Sequence, residues 1–210
     1  MAHIALDKSD TAYILVNGPS VSLFKDYINC CKDDNVYWCG INRFKSIEEN
    51  ILSIIDEKFD ILYCSSYGRI REFFADAEGF QGVLIVNSHM FVRTHINYDK
   101  VMVSDWGFGY NSLVAFTITL AIKGIKRIFI FGADGGSEEG DVYYAQDKID
   151  NEKFEDRRKT IARDTRVMNH SFWRFWRDMG VKEIPIYNVS MKSRLNCFPK
   201  ISYQRFLHEK

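Results

Sequence analysis

No long apolar stretch, no surplus of charge of either sign, few prolines and no paired cysteine motif occur in this sequence, and each shortage removes a class of protein. The longest near-apolar run, residues 113–122, is broken by Thr117 and Thr119 and stops at Lys123. That is far short of the roughly 20 residues a bilayer span requires, so the run reads as a core helix and no transmembrane segment is expected. The 28 Lys plus Arg balance 28 Asp plus Glu, and no basic patch stands out. Nothing therefore draws the chain to nucleic acid or to an anionic membrane surface. The five cysteines, Cys30, Cys31, Cys39, Cys64 and Cys197, are odd in number and contain no Cys-x-x-Cys pair. Neither a complete disulfide framework nor a zinc knuckle follows, and most are expected to be small core residues. Pro19, Pro185 and Pro199 are isolated, and no repeat or low-complexity linker divides residues 1–210, which read as one domain. The first eight residues lack a basic region followed by an apolar stretch and a cleavage site, so the expected compartment is the cytoplasm.

Familiar catalytic signatures are missing as well. There is no Gly-x-x-x-x-Gly-Lys-Ser/Thr loop, no Gly-x-Gly-x-x-Gly, no His-Glu-x-x-His and no Gly-x-Ser-x-Gly elbow. Ordinary P-loop kinases, dehydrogenases, zincins and serine hydrolases are thereby set aside.

What the chain does contain is 46% apolar and 15% aromatic residues, enough to fill a core. Seven short apolar runs, at residues 12–16, 36–41, 61–64, 83–86, 101–103, 127–131 and 184–187, alternate with helix-length stretches. Because the runs are nearly continuous in Val, Ile, Leu and aromatics, they read as strands buried on both faces. The pattern predicts an α/β fold: a Rossmann-like, doubly wound, mostly parallel sheet with helices on both faces. Ile47, Ile51, Ile54 and Ile55 predict a helix over 47–58. A second helix spans 112–123 and is closed by Gly124, and a third spans 155–179, with Trp173 and Trp176 as packing residues beside its apolar face.

In such a sheet ligands bind beyond the carboxyl ends of the strands, so the segments after the runs carry the candidate chemistry. The first is Asn17-Gly18-Pro19-Ser20, where Gly18 permits a tight turn and Ser20 is placed to cap a helix whose amides face an anion. The second contains Asn42, Arg43 and Phe44. Asn111 and Ser112 open the helix after the fifth run, and the sixth ends in Gly132-Ala133-Asp134-Gly135-Gly136. Each is also a serviceable turn or strand exit; collected at one sheet edge, they form a polar site suited to a nucleotide or sugar.

In this order, and with Tyr144-Ala145-Gln146-Asp147 after them, these segments resemble the bacterial lipooligosaccharide sialyltransferase family over residues 12–190. They are similar too to its relatives, the motility-associated glycosyltransferases and the archaeal hydroxymethylpterin pyrophosphokinase-like proteins. The resemblance implies a nucleotide-binding domain that transfers sialic acid from a CMP donor to a glycan acceptor without a metal, in a chain able to form a homo-oligomer. Asn17 and Gly18, with Pro19 and Ser20 in the same loop, would meet the donor phosphate and ribose. Asn42 would lie on the cytidine side, Asn111 and Ser112 at the donor, and Asp134 below the nucleotide. Tyr144 would stabilise the departing phosphate.

Departures accompany it. Gly136 stands where the family has a second phosphate-binding tyrosine, and no histidine lies at 163–165, where the general base is expected; His170, one to two helical turns on, is the candidate base. Residues 148–166 take the place of the family's lid, where Arg157, Arg158, Lys159 and Arg163 would meet phosphate, or else form a solvated helix face. Asp134, Asp147 and Asp150 alternatively suit a Mg²⁺ ion, as a diphosphotransferase acting on a pterin-like alcohol would need. A catalytically idle nucleotide-binding module is the third reading.

Overall fold

A computed structural model describes residues 4–32, 34–42, 44–76, 79–93, 96, 98–104, 111–135, 159, 163, 165, 166 and 184–210. Each of the seven apolar runs becomes a strand: β1 (Thr11–Leu15), β2 (Tyr37–Ile41), β3 (Ile61–Cys64), β4 (Val83–Asn87), β5 (Val101–Ser104), β6 (Arg127–Phe131) and β7 (Ile186–Asn188). They form one sheet in the order β5-β4-β3-β2-β1-β6-β7, and every neighbouring pair is parallel. The last strand starts two residues later than its apolar run. Pro185 has no N–H to give the ladder and contributes only its carbonyl, which accepts from Ile128 N at 3.0 Å.

The first strand lies inside the sheet; from it the chain winds outward to β5 and returns to lay β6 on the other side of β1. The strand order therefore reverses between β1 and β6, which makes their carboxyl ends the topological switch point. Successive residues of β1 feed opposite cores. Ala12 and Ile14 join the cluster around helix α4 (Ser112–Ile122), whereas Tyr13 and Leu15 join one built from α1 (Lys45–Asn50), α2 (Tyr67–Asp76), the C-terminal α5 (Tyr203–Glu209) and three 3-10 segments. Helix α3 (Ser88–Arg93) follows β4.

Helix α4 is buried from Leu113 through Ala121. Its two threonines satisfy their hydroxyls within the helix, on Leu113 O and Ala115 O, and Gly124 takes φ +100° just past its end. Among the described residues no helix is long and apolar enough to cross a membrane.

The helix expected over 47–58 is a correction. The chain forms α1 and then a separate 3-10 turn, Leu52–Ile55, broken at Ile51 and closed by Asp56 in the left-handed region. With three residues per turn, Leu52 and Ile55 share a face, so Leu52 is buried and Ile54 is left 44% exposed. Of the helix expected over 155–179, Lys159, Arg163, Thr165 and Arg166 are helical and the remainder, with Trp173 and Trp176, lies outside the described residues.

Candidate functional site

The carboxyl ends of β1, β6 and β7 are drawn together by one side chain. Asp134, three residues beyond β6, accepts from Ser20 N at 2.8 Å and Ser20 Oγ at 2.5 Å, and from Ser190 Oγ at 3.0 Å. Its own carbonyl accepts from Arg194 N at 2.8 Å. The loop after β1, the exit of β6 and the segment after β7 are thus fastened at a single carboxylate.

Two glycines make that approach possible, each with neighbouring backbone where its side chain would stand. A Cβ on Gly18 would lie 2.1 Å from Gly132 O and 2.7 Å from Asp134 Oδ2, and one on Gly132 would lie 2.1 Å from Val16 O. Gly132 also has φ +78°, where an L side chain is strained. Gly18 instead has φ −88° and ψ 158°, so it is extended rather than tightly turned. The turn that starts at Gly18, closed by Val21 N on Gly18 O, therefore needs glycine for the close approach and not for its dihedral angles: a side chain at position 18 disrupts the loop itself.

Ser20 is corrected too. The 3-10 helix Pro19–Asp26 has Gly18 at its N-cap with no side-chain cap. Pro19 has no N–H, Ser20 N is held by Asp134, and Val21 N donates to Gly18 O at 3.1 Å. The amide expected to face an outside anion faces the protein's own carboxylate. Asn17, beside it, is 8% exposed, and its Oδ1 is buried without a hydrogen-bond donor. Asn188 Oδ1 is in the same condition, while its amide nitrogen donates to Ala133 O and Ser193 Oγ at 3.0 and 2.9 Å.

The other predicted residues that are described make local contacts. Asn42, in the left-handed region with φ +59°, accepts from Ser65 N and Ser65 Oγ at 3.0 and 2.9 Å, tying the exit of β2 to that of β3. Asn111 is the N-cap of α4, its Oδ1 accepting from Leu113 N at 2.9 Å, and Ser112 is the first helical residue. Tyr144, His170, Arg43, Gly136, Asp147, Asp150, Arg157 and Arg158 lie outside the described residues. At the expected general-base position Thr165 is buried and donates to Gly135 O at 3.1 Å. Ser190, Ser193, Asn188 and Tyr203, whose hydroxyl donates to Ser20 O at 3.3 Å, were not anticipated. Asn188 and Ser190 follow the seventh run, so the strand-exit rule applied there identifies them.

Nothing described suits a divalent cation. Both oxygens of Asp134 are engaged by N–H and O–H donors, and among the described residues no group of three or more His, Cys, Asp and Glu side chains is arranged to hold a metal ion. Of the alternative Mg²⁺ set only Asp134 is among the described residues; Asp147 and Asp150 lie outside them.

An open parallel sheet whose strand order reverses between β1 and β6 defines an α/β protein of the doubly wound class. Two solved structures share the fold. The sialyltransferase CstII from Campylobacter jejuni, solved with the substrate analogue cytidine-5'-monophosphate, aligns over 91% of this chain and 84% of its own, at 17% identity and a TM-score of 0.56. The monofunctional α-2,3-sialyltransferase Cst-I from Campylobacter jejuni aligns over 95% of this chain and 83% of its own, at 14% identity and a TM-score of 0.59. No protein-family profile matches the chain, and no curated protein matches it in sequence. The likeness is one of fold.

Proposed function

We propose that this chain is a single nucleotide-binding domain that takes a nucleotide sugar of the CMP-sialic acid type and transfers the sugar to a glycan acceptor without a metal. The observation that carries the reading is Asn17. In a fold shared with a CMP-bound sialyltransferase, a buried carboxamide oxygen lacks a donor at the switch point. A buried polar atom without a partner is costly, and a ligand bearing N–H or O–H groups satisfies it.

In the transfer, the acceptor hydroxyl oxygen bonds to the anomeric carbon of the sugar as the bond from that carbon to the phosphate oxygen breaks. CMP departs with the electron pair, stabilised by the Tyr144 phenol, and the hydroxyl proton passes to His170.

The test is a thermal-shift series with CMP, UDP, GDP, ATP and their sugars, with and without Mg²⁺. Selective stabilisation by cytidine nucleotides, independent of Mg²⁺, is expected. Stabilisation by ATP with Mg²⁺ alone points instead to a diphosphotransferase, and binding without transfer or hydrolysis to an idle module. Tyr144→Phe is expected to lower turnover roughly 10-fold to 1000-fold with donor affinity nearly unchanged, as befits loss of one transition-state hydrogen bond.

A further inference from the structure

We infer that Asp134 is a built-in anion that keeps phosphate out of the loop at 17–20, so that the part of a ligand seated against Asn17 is a neutral hydrogen-bond donor. The inference rests on the nucleotide reading for its ligand but not for its exclusion step.

A helix start after a strand at a switch point ordinarily offers free amides to a phosphate. Here the amides are spoken for: Pro19 has none, Val21 N turns back to Gly18 O, and Ser20 N donates to Asp134 Oδ2 at 2.8 Å. The same oxygen lies 2.7 Å from the point a Gly18 Cβ would occupy, so the carboxylate fills the space beside Gly18 that a phosphate oxygen would need. Ser20 Oγ and Ser190 Oγ add two further donors, both to Oδ1. A carboxylate with three donors turned toward it repels a second anion and holds the donors that anion would use.

Asn17 adds an independent observation. What it lacks is a donor for Oδ1, in a side chain more than nine-tenths buried. Phosphate oxygens are acceptors and cannot supply that bond, whereas a sugar hydroxyl or an exocyclic amine can. The assignment of Asn17 and Gly18 to a donor phosphate is thereby narrowed to a hydroxyl or amine contact by Asn17, with the phosphate held elsewhere. Asp134 acts through the loop as a specificity-determining residue and touches no reacting atom.

Inorganic phosphate is the first probe. The Ser20 amide resonance of the wild-type protein is expected to stay unmoved as phosphate is raised to millimolar levels. In Asp134→Ala, which vacates the anion position, phosphate is expected to shift that resonance and raise the melting temperature, binding at least about tenfold tighter than to wild type, whereas Ser190→Ala, which leaves the carboxylate in place, gains nothing. A purely structural Asp134 predicts lost stability without recovery by phosphate. Wild-type phosphate binding at Ser20 overturns the inference, and so does a folded Asp134→Ala that gains none. If that variant does not fold, the wild-type measurement still decides the exclusion.

The second probe compares cytidine with CMP. Asn17→Ala is expected to weaken both by the same factor, about tenfold, because the contact is to a group they share. A loss confined to CMP overturns the neutral-donor assignment. Failure of wild type to bind either ligand removes the nucleotide reading and this assignment with it, while the phosphate result stands separately.

Discussion

Gly18 and Gly132 show how little freedom single positions retain at the switch point. Each Cα faces a main-chain carbonyl closely enough that an added methyl would sit 2.1 Å from oxygen, and backbone yields less readily than a flexible side chain. Gly18→Ala is expected to cost about 1–3 kcal/mol through forced backbone shifts, read as a fall of several degrees in melting temperature. Any loss of ligand binding should track that loss of fold. Cysteine reactivity offers a second check on residue environment. Cys31, Cys39, Cys64 and Cys197 are buried and Cys30 is exposed. Desolvation by burial raises the thiols of Cys31 and Cys197 to about 12 and lifts Cys39 well above the ordinary thiol range. Raised values leave the protonated, poorly nucleophilic form at neutral pH. Native protein is therefore expected to expose one rapidly reacting thiol to a thiol reagent at pH 7–8, and denatured protein all five; fast native reaction at a second cysteine contradicts the burial described here.

Among the elements, the segment from Lys45 to Ile55 makes the sharpest test, because an unbroken helix and a helix followed by a 3-10 turn bury different side chains. Leu52→Ala is expected to cost about 2–5 kcal/mol as a core truncation, whereas Ile54→Lys should change stability by no more than about 0.5 kcal/mol. The reverse ranking in chemical denaturation restores the continuous helix. All seven strands were legible in the sequence because a strand buried on both faces is written as a run of apolar residues, which needs no knowledge of its neighbours. Helix α4 was legible for the same reason. Helices α2, α3 and α5 were not singled out, since their apolar residues are interleaved with charge and answer to partners distant in the chain, as when Phe206 meets Tyr13 at 5.4 Å. The site divided likewise. Strand exits located Asn17, Gly18, Ser20 and Asp134, and the same rule reaches Ser190, but that Ser20, early in the chain, and Ser190, late in it, meet on one carboxylate became visible only once β1, β6 and β7 lay side by side.

For the molecule as a whole, the C-terminal helix is the closure of the aromatic core. Tyr13 sits edge-on to Trp38, Phe129, Phe131 and Phe206 at 5.3–5.7 Å, and its buried hydroxyl donates to Asp34 Oδ2 at 2.8 Å. Burial, with Asp34 beside it, raises the Tyr13 phenol far above its ordinary value. Tyr203 stacks on Tyr27 at 4.5 Å, Lys210 Nζ bonds Asp34 and Cys30 O, and Arg127 donates to Glu209 O at 2.8 Å. Deleting residues 203–210 uncovers these rings and is expected to lower the melting temperature by 10 °C or more, about the effect of losing several kcal/mol in a chain of this size, and to promote dye binding to exposed apolar surface. A truncated protein that melts as the full chain does would refute the role of α5.

The position of β1 also bears on how the chain assembles as it is made. Asp10 and Lys126, which pair across the start of β1 and β6, are 116 residues apart, and between them the ribosome must deliver β2 through β5 and all of α4. Until β6 emerges, β1, an interior strand of the finished sheet, is an edge strand, with unsatisfied amides along one side and apolar side chains on both faces. Such long-range closure is slow, and nascent chains stalled before Phe131 should be clients for chaperones that shield open β-edges, whereas chains that have released β6 and β7 should not.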